Sequence, residues 1–324
     1  MPFLQKIRQA VGLFFGKVKL YLKSSQSFTP HAKQQLKDFV VKWWGWLLAG
    51  AALFALFYYP AGALMTHRIN MSMSLNDSAG VPKAVSTLEK LSNRELKRNV
   101  YTPNISLVHP GAALDNMPAF QTGIFSEIKD FTTMLAFLKP DSAELSRAAA
   151  LFSYPPDIRS VKDGKPAPSS SDQYREATAA LAAYKNSARA TELSADELPV
   201  VILSLRDSLK REGERIENHI VKNEKKFFDW QADNLFYFVK GRAYVIALLL
   251  RDMKTDFPDA FKDETFKTLI TDAQIALQKA LDIQPLIVSN ASPQTQFAPN
   301  HLLGLGFYLS RAQSVLTETE AYLQ

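Results

Sequence analysis

The side chains able to do chemistry in this 324-residue chain are few and scattered. Five histidines stand at His31, His67, His109, His219 and His301, and none is spaced as HxxxH, HExxH or HxH, the arrangements that put two ligands on one helix face. Cysteine is absent, which excludes thiol catalysis, iron–sulfur ligation, cysteine zinc sites and disulfides. By motif the chain reads as lacking any GxSxG elbow, Walker loop, glycine-rich dinucleotide turn or SxxK signature. Ser126-Glu127 and the many acids on helical stretches could supply a glycosidase carboxylate, as in all-helical wall-degrading enzymes, although most such acids lie on solvated faces. The residues therefore assign no catalytic group, no cofactor and no metal ligand, and an enzyme is not the expectation.

Three polar sets in apolar or turn-rich surroundings remain as candidates for a ligand or partner groove. One is His109, Asp115 and Asn116 in a Pro-Gly loop; the second is Trp230, Asp233, Asn234 and Lys240 on an apolar helix; the third is Asn300 and His301 at the start of the last helix. A buried Asp233 must find a partner or shift its pKa, and Lys240 or Arg242 is the expected one. The plainer reading of these residues is a satisfied network that fixes helix register.

The elements that must carry them read as all-α. Pro82–Asn99 places Val85, Leu88, Leu91 and Leu96 near one face, and Pro118–Leu138 repeats the pattern with Phe120, Ile124, Ile128, Phe131 and Leu135. Pro140 ends that helix and Asp141 is the expected cap of the next, which runs to about Phe152. Residues 154–171 (YPPDIRSVKDGKPAPSSS) read as an exposed loop. Ser194-Ala195-Asp196-Glu197 is a capping box. Beyond it a heptad seam runs from Leu198 to Leu248, and the polar seam residues Glu212, His219, Asn223 and Asn234, with Gly213, predict two helices or a kinked one. Residues 227–250 are apolar nearly all round yet carry Asp229, Asp233, Lys240 and Arg242, the mark of a central bundle helix. A helix over 262–283, a loop and a last helix opened by Pro299 follow, with Gly304 and Gly306 allowing close approach.

Ahead of this lies a stretch of 23 uncharged, mostly apolar residues, Trp43–Met65, flanked by Lys42 and His67-Arg68. At about 1.5 Å per residue it reaches roughly 35 Å, enough to cross a bilayer with some tilt. Trp43, Trp44 and Trp46 at one end and Tyr58 and Tyr59 at the other form aromatic belts. Residues 1–42 hold eight lysines or arginines against the single acid Asp38, so the whole excess of a chain with net charge +6 sits there. Positive charge beside a span stays cytoplasmic, so the expected organisation is a cytoplasmic basic amphipathic arm (1–42), one transmembrane helix (43–65) and an exported helical domain (66–324). The arm has apolar residues at helical spacing and can lie on an anionic leaflet. Cleavage after Ala63 is the alternative, disfavoured because the charged lead is far longer than a signal peptide's. A sequence pI near 9.2 does not argue for nucleic acid, since the large domain is nearly neutral.

Three stretches, His109–Ile124 (HPGAALDNMPAFQTGI), Trp230–Arg251 (WQADNLFYFVKGRAYVIALLLR) and Val288–Arg311 (VSNASPQTQFAPNHLLGLGFYLSR), resemble the DUF2333 family of uncharacterised proteobacterial membrane proteins. The resemblance implies a Gram-negative inner-membrane protein with its domain in the periplasm, and it supplies no reaction, ligand or catalytic residue. The expected function is an envelope interaction or scaffold module with an unidentified protein partner. The rivals are a periplasmic enzyme or ligand-binding protein acting on cell-wall or lipid material, and a regulator whose basic arm senses the inner leaflet.

Overall fold

The computed structural model describes residues 30–66, 69–74, 82–106, 109, 116–162, 164–187, 193–223, 229–285, 287–291 and 299–324. The chain divides into two compact units, residues 1–60 and 61–324. In the first, helix α1 (Pro30–Thr66) contains the one stretch among the described residues that is long and apolar enough to cross a membrane, Trp43–Gly62. Large apolar side chains on it, Trp46, Phe54 and Phe57 among them, are exposed. Pro60 is accommodated inside the helix. The basic arm before Pro30 lies outside the described residues.

Among its described residues the regular structure of the second unit is helical apart from one hairpin of two-residue strands and an isolated bridge between Asn290 and Asn300. Its helices are α2 (Lys83–Asn93), α3 (Asn116–Leu138), α4 (Ala143–Phe152), α5 (Ser170–Asn186), α6 (Leu198–Asn223), α7 (Trp230–Asp256), α8 (Glu264–Asp282) and α9 (His301–Leu323). α7 is the hub: it packs on α2, α3 and α8, while α4 and α5 extend the α2–α3 side and α9 bridges α6 to α8 on the other. Every residue from Gly241 to Leu250 is buried, which explains why this segment lacks a polar face. Tyr101, Phe125, Phe152 and Tyr174 form an aromatic cluster on the α3–α5 side, with Phe125 stacked on Tyr174 at 4.7 Å.

Local chemistry sets the helix ends. The Ser194–Glu197 capping box forms as expected and leads through a 3₁₀ turn into α6. Asn300 caps α9 by accepting from Leu303 N at 2.8 Å, so Asn300 and not Pro299 opens that helix. Ser142, not Asp141, caps α4. α2 takes its cap from far along the chain: Asp256, the last residue of α7, accepts from Lys83 N and Ala84 N at 2.5 and 2.8 Å. A π-helical turn (Arg94–Arg98) continues α2 and places Glu95 fully inside, where Asn99 and Gln121 donate to it. Val100 then adopts φ 59°, a strained conformation for a β-branched residue, with its carbonyl bonded to Gln121 Nε2.

The loop expected at 154–171 is more ordered than its composition suggests. Val161–Lys162 pairs with Lys165–Pro166, and Ser170 opens α5 while its hydroxyl donates to Pro155 O. The hydroxyl and carbonyl partners along this stretch replace the apolar burial it lacks. The helical stretch Leu198–Leu248 resolves into the pair α6 and α7.

Candidate functional site

Gly123 and Gly241 face each other's helix backbone where α3 and α7 cross. A Cβ on Gly123 would lie 2.0 Å from Phe238 O, and one on Gly241 would lie 2.2 Å from Phe120 O. Backbones this near leave room for no side chain at the α3–α7 crossing, and they bring the next residue, Arg242, between α3 and α6.

Arg242 is only 3% exposed and stands among three carboxylates: Glu127 Oε2 at 2.7 Å, Asp130 Oδ2 at 2.6 Å and Glu212 Oε1 at 3.2 Å. It also donates to Ser126 Oγ (2.6 Å) and Ser208 Oγ (3.2 Å). Arg211 joins from α6, donating to Asp130 and Ser208, and Arg215 pairs with Glu212 at 3.3 Å. Burial pushes the Glu127 carboxyl up to about 6 despite Arg242, and burial raises Glu212 as well. At Asp130 burial is outweighed by Arg242 and Lys129, which hold its pKa below the usual value. Glu127 Oε2 and both Glu212 oxygens have ion-pair contacts without a well-aligned hydrogen bond. This arrangement fits charge balance better than proton transfer.

A second polar centre lies where α6 ends and α7 and α9 begin. Asp229 caps α7 through Gln231 N, takes His219 Nε2 at 2.7 Å and accepts from Asn290 Nδ2 at 2.9 Å. Asn300 donates to Asn290 Oδ1 and Ala291 O, and His301 Nδ1 accepts from Ser289 N at 3.0 Å while its backbone N–H donates to Ser289 O. Burial raises Asp229, but the bonds from Asn290 and His219 outweigh it and hold the pKa below the ordinary value; burial lowers that of His301.

The three polar sets expected from sequence are only partly brought together. Asn300 and His301 belong to the Asp229 centre, and Trp230 opens α7 beside it. Asp233 is half-buried and Asn234 exposed on that helix. The expected pairing of Asp233 with Arg242 is corrected, since Arg242 sits more than two turns away among its three carboxylates. Lys240 is buried and donates to Ile283 O at 2.5 Å at the end of α8, with its ammonium 5.3 Å from the Phe236 ring; burial lowers its pKa to about 8. His109 lies half-buried in a turn, bonded through its backbone N–H to Ser106 O, and Asn116 is the first residue of α3; Asp115 lies outside the described residues.

Sequence reasoning reaches Glu127 only as one of many helical acids and Glu212 only as a polar seam residue, and it misses the roles of Asp130 and Asp229. Two acids three apart on an apolar helix, Glu127 and Asp130, are the available signal. The expected lack of an SxxK signature is corrected: Ser126 and Lys129 stand in that spacing and line a cavity of about 210 Å³ with Phe125, Phe152, Tyr174 and Phe238. Ser126 is occupied by Arg242 and Lys129 pairs with Asp130 at 3.0 Å.

The model of a family described as an uncharacterised protein conserved in bacteria (DUF2333) matches residues 203–324, which hold Glu212, Asp229, Arg242, Asn300 and His301. Two of the three stretches that carry the resemblance fall inside this range, and His109–Ile124 falls outside it. No curated protein and no solved structure matches the chain. Over residues 203–324 the chain is similar to the DUF2333 family.

Proposed function

We propose that this is a single-pass inner-membrane protein whose helical domain lies in the periplasm and acts as an interaction or scaffold module of the envelope. One observation carries the reading: the buried cation Arg242 is matched by three carboxylates of its own fold, so its chemistry is spent on joining α3, α6 and α7. The one candidate span among the described residues supports membrane attachment, and the basic lead before it supports a cytoplasmic N-terminus in contact with anionic lipid. The test is crosslinking in intact cells followed by purification of the tagged full chain and mass spectrometry. Reproducible envelope partners are expected; recovery of the chain without other proteins, from material that crosslinks well, would remove the hetero-scaffold reading.

The cavity beside Ser126 and Lys129 favours a second reading, a periplasmic enzyme or ligand-binding protein acting on cell-wall or lipid material. Lys129→Met separates the two. A lost phenotype with an unchanged melting curve would support the cavity, and an unchanged phenotype would count against it.

A further inference from the structure

α9 presents two faces of different character. Leu302, Leu305, Leu309, Ala312 and Leu316 point into the core. On the outer side Leu303, Phe307, Ser310, Ser314, Thr317 and Ala321 are all exposed, at successive steps of four, three, four, three and four residues. That is the spacing of a helix–helix seam. None of the six is charged, although solvent-facing helix surfaces usually carry charge. Leu303 is 47% and Phe307 61% exposed, while Ser310, Ser314 and Ala321 are small enough to let another helix approach. A trough of about 460 Å³ between α6 and α9, with Ile216 and Ile220 in its wall, adjoins this seam.

The charges along one edge indicate what covers it. Arg311 and Glu318 are both exposed and seven residues apart, so they share a side of the helix but are separated by about 10 Å along its axis, too far to pair with each other. Neither makes an ion pair among the described residues. A second α9 laid antiparallel, with a two-fold axis level with Ser314 and Val315, places Arg311 of each copy beside Glu318 of the other and forms two equivalent ion pairs. The same register sets Phe307 level with Ala321 and Tyr322 of the second copy. A parallel two-fold arrangement would put Arg311 and Glu318 of the two copies on opposite flanks of the contact and leave all four unpaired, so charge favours the antiparallel one.

We propose that the outer face of α9 is the contact of a two-fold homodimer, the occupant being α9 of a second copy of this chain. This rests on the interaction reading above and names one partner for it. A single helix pair buries less than the roughly 1,200 Å² of a standard interface, so pairing is weak in free solution; anchoring both copies in one bilayer raises their effective concentration.

The absence of cysteine makes the test direct. In full-length chain in native membranes, Ser314→Cys is expected to form a disulfide-linked dimer on mild oxidation, because the two-fold axis sets position 314 close to itself. Thr271→Cys on the exposed face of α8 should not. Arg311→Glu in the Ser314→Cys chain should lower the dimer yield about tenfold, and adding Glu318→Arg should restore it. No dimer through position 314, a yield indifferent to Arg311→Glu, or a failure of the double exchange to restore it would overturn the proposal. Loss of self-crosslinking with other envelope proteins still captured refutes only the self-pairing. Intact self-crosslinking without other partners refutes only the hetero-scaffold reading.

Discussion

The α3–α7 crossing and the Asp229 centre both use buried or half-buried polar side chains, yet they hold the domain together differently. At the crossing, backbones touch at Gly123 and Gly241 and a cation is surrounded by three anions that together leave little freedom of register. At the Asp229 centre, His219, Asn290, Asn300 and His301 act through hydrogen bonds to helix ends and loop backbone, each replaceable in part by water. Where charge is buried, removing one partner leaves the others uncompensated; where mostly neutral groups cap helix ends, removal costs the bonds that side chain makes.

The largest effect is expected at the glycine contact. Gly241→Val must drive a side chain into the Phe120 carbonyl, and the expected cost of about 4 kcal/mol or more should appear as loss of folded protein on thermal melting. A melt close to the parent's would mean that the helices can separate freely.

Arg242→Met keeps much of the volume but strands Glu127, Asp130 and Glu212, for an expected loss of about 3–5 kcal/mol in denaturant unfolding. Glu127→Gln probes the same cluster through pH. The carboxyl has a folded pKa of about 6 against an ordinary 4.5, so its contribution to stability is complete below pH 4.5 and is lost as pH rises through about 6. The parent should lose about 2 kcal/mol across that window from this group. In Glu127→Gln, whose amide stands in for the protonated carboxyl, that part of the slope should vanish, so stability matches the parent's below pH 4.5 and exceeds it by about 2 kcal/mol at pH 7. An unchanged slope would show that Glu127 does not titrate there.

The smallest effect is expected at the other centre. Asn300→Ala removes the α9 cap and the bonds to Asn290 and Ala291, and a loss of about 1–2 kcal/mol is expected in the same unfolding assay. A loss as large as that of Arg242→Met would erase the distinction between the two regions.

Most of the helices are legible in the residue pattern alone. Periodicity locates α2, α3, α7, α8 and α9, and the Ser194–Glu197 box marks the start of α6 through local contacts that need no tertiary partner. α5 is not evident in the pattern, because its alanine-rich sequence follows a Pro-Ser stretch that reads as loop and its order depends on Ser169 and Ser170 bonding across that loop. Of the candidate groove, Asn300 and His301 do share a centre, whereas the partners of Arg242 and Lys240 are not legible, since Glu212 and Ile283 are distant along the chain.

The all-helical class, the apolar stretch long enough to span a bilayer and the N-terminal location of the excess charge all follow from residue type, spacing and order, which are properties of the chain before it folds. Which acids share Arg242, that Lys240 reaches the end of α8, and that α9 turns an uncharged seam outward are settled only once the helices pack. Those outcomes depend on which helix faces meet, and contacts between segments far apart along the chain set that.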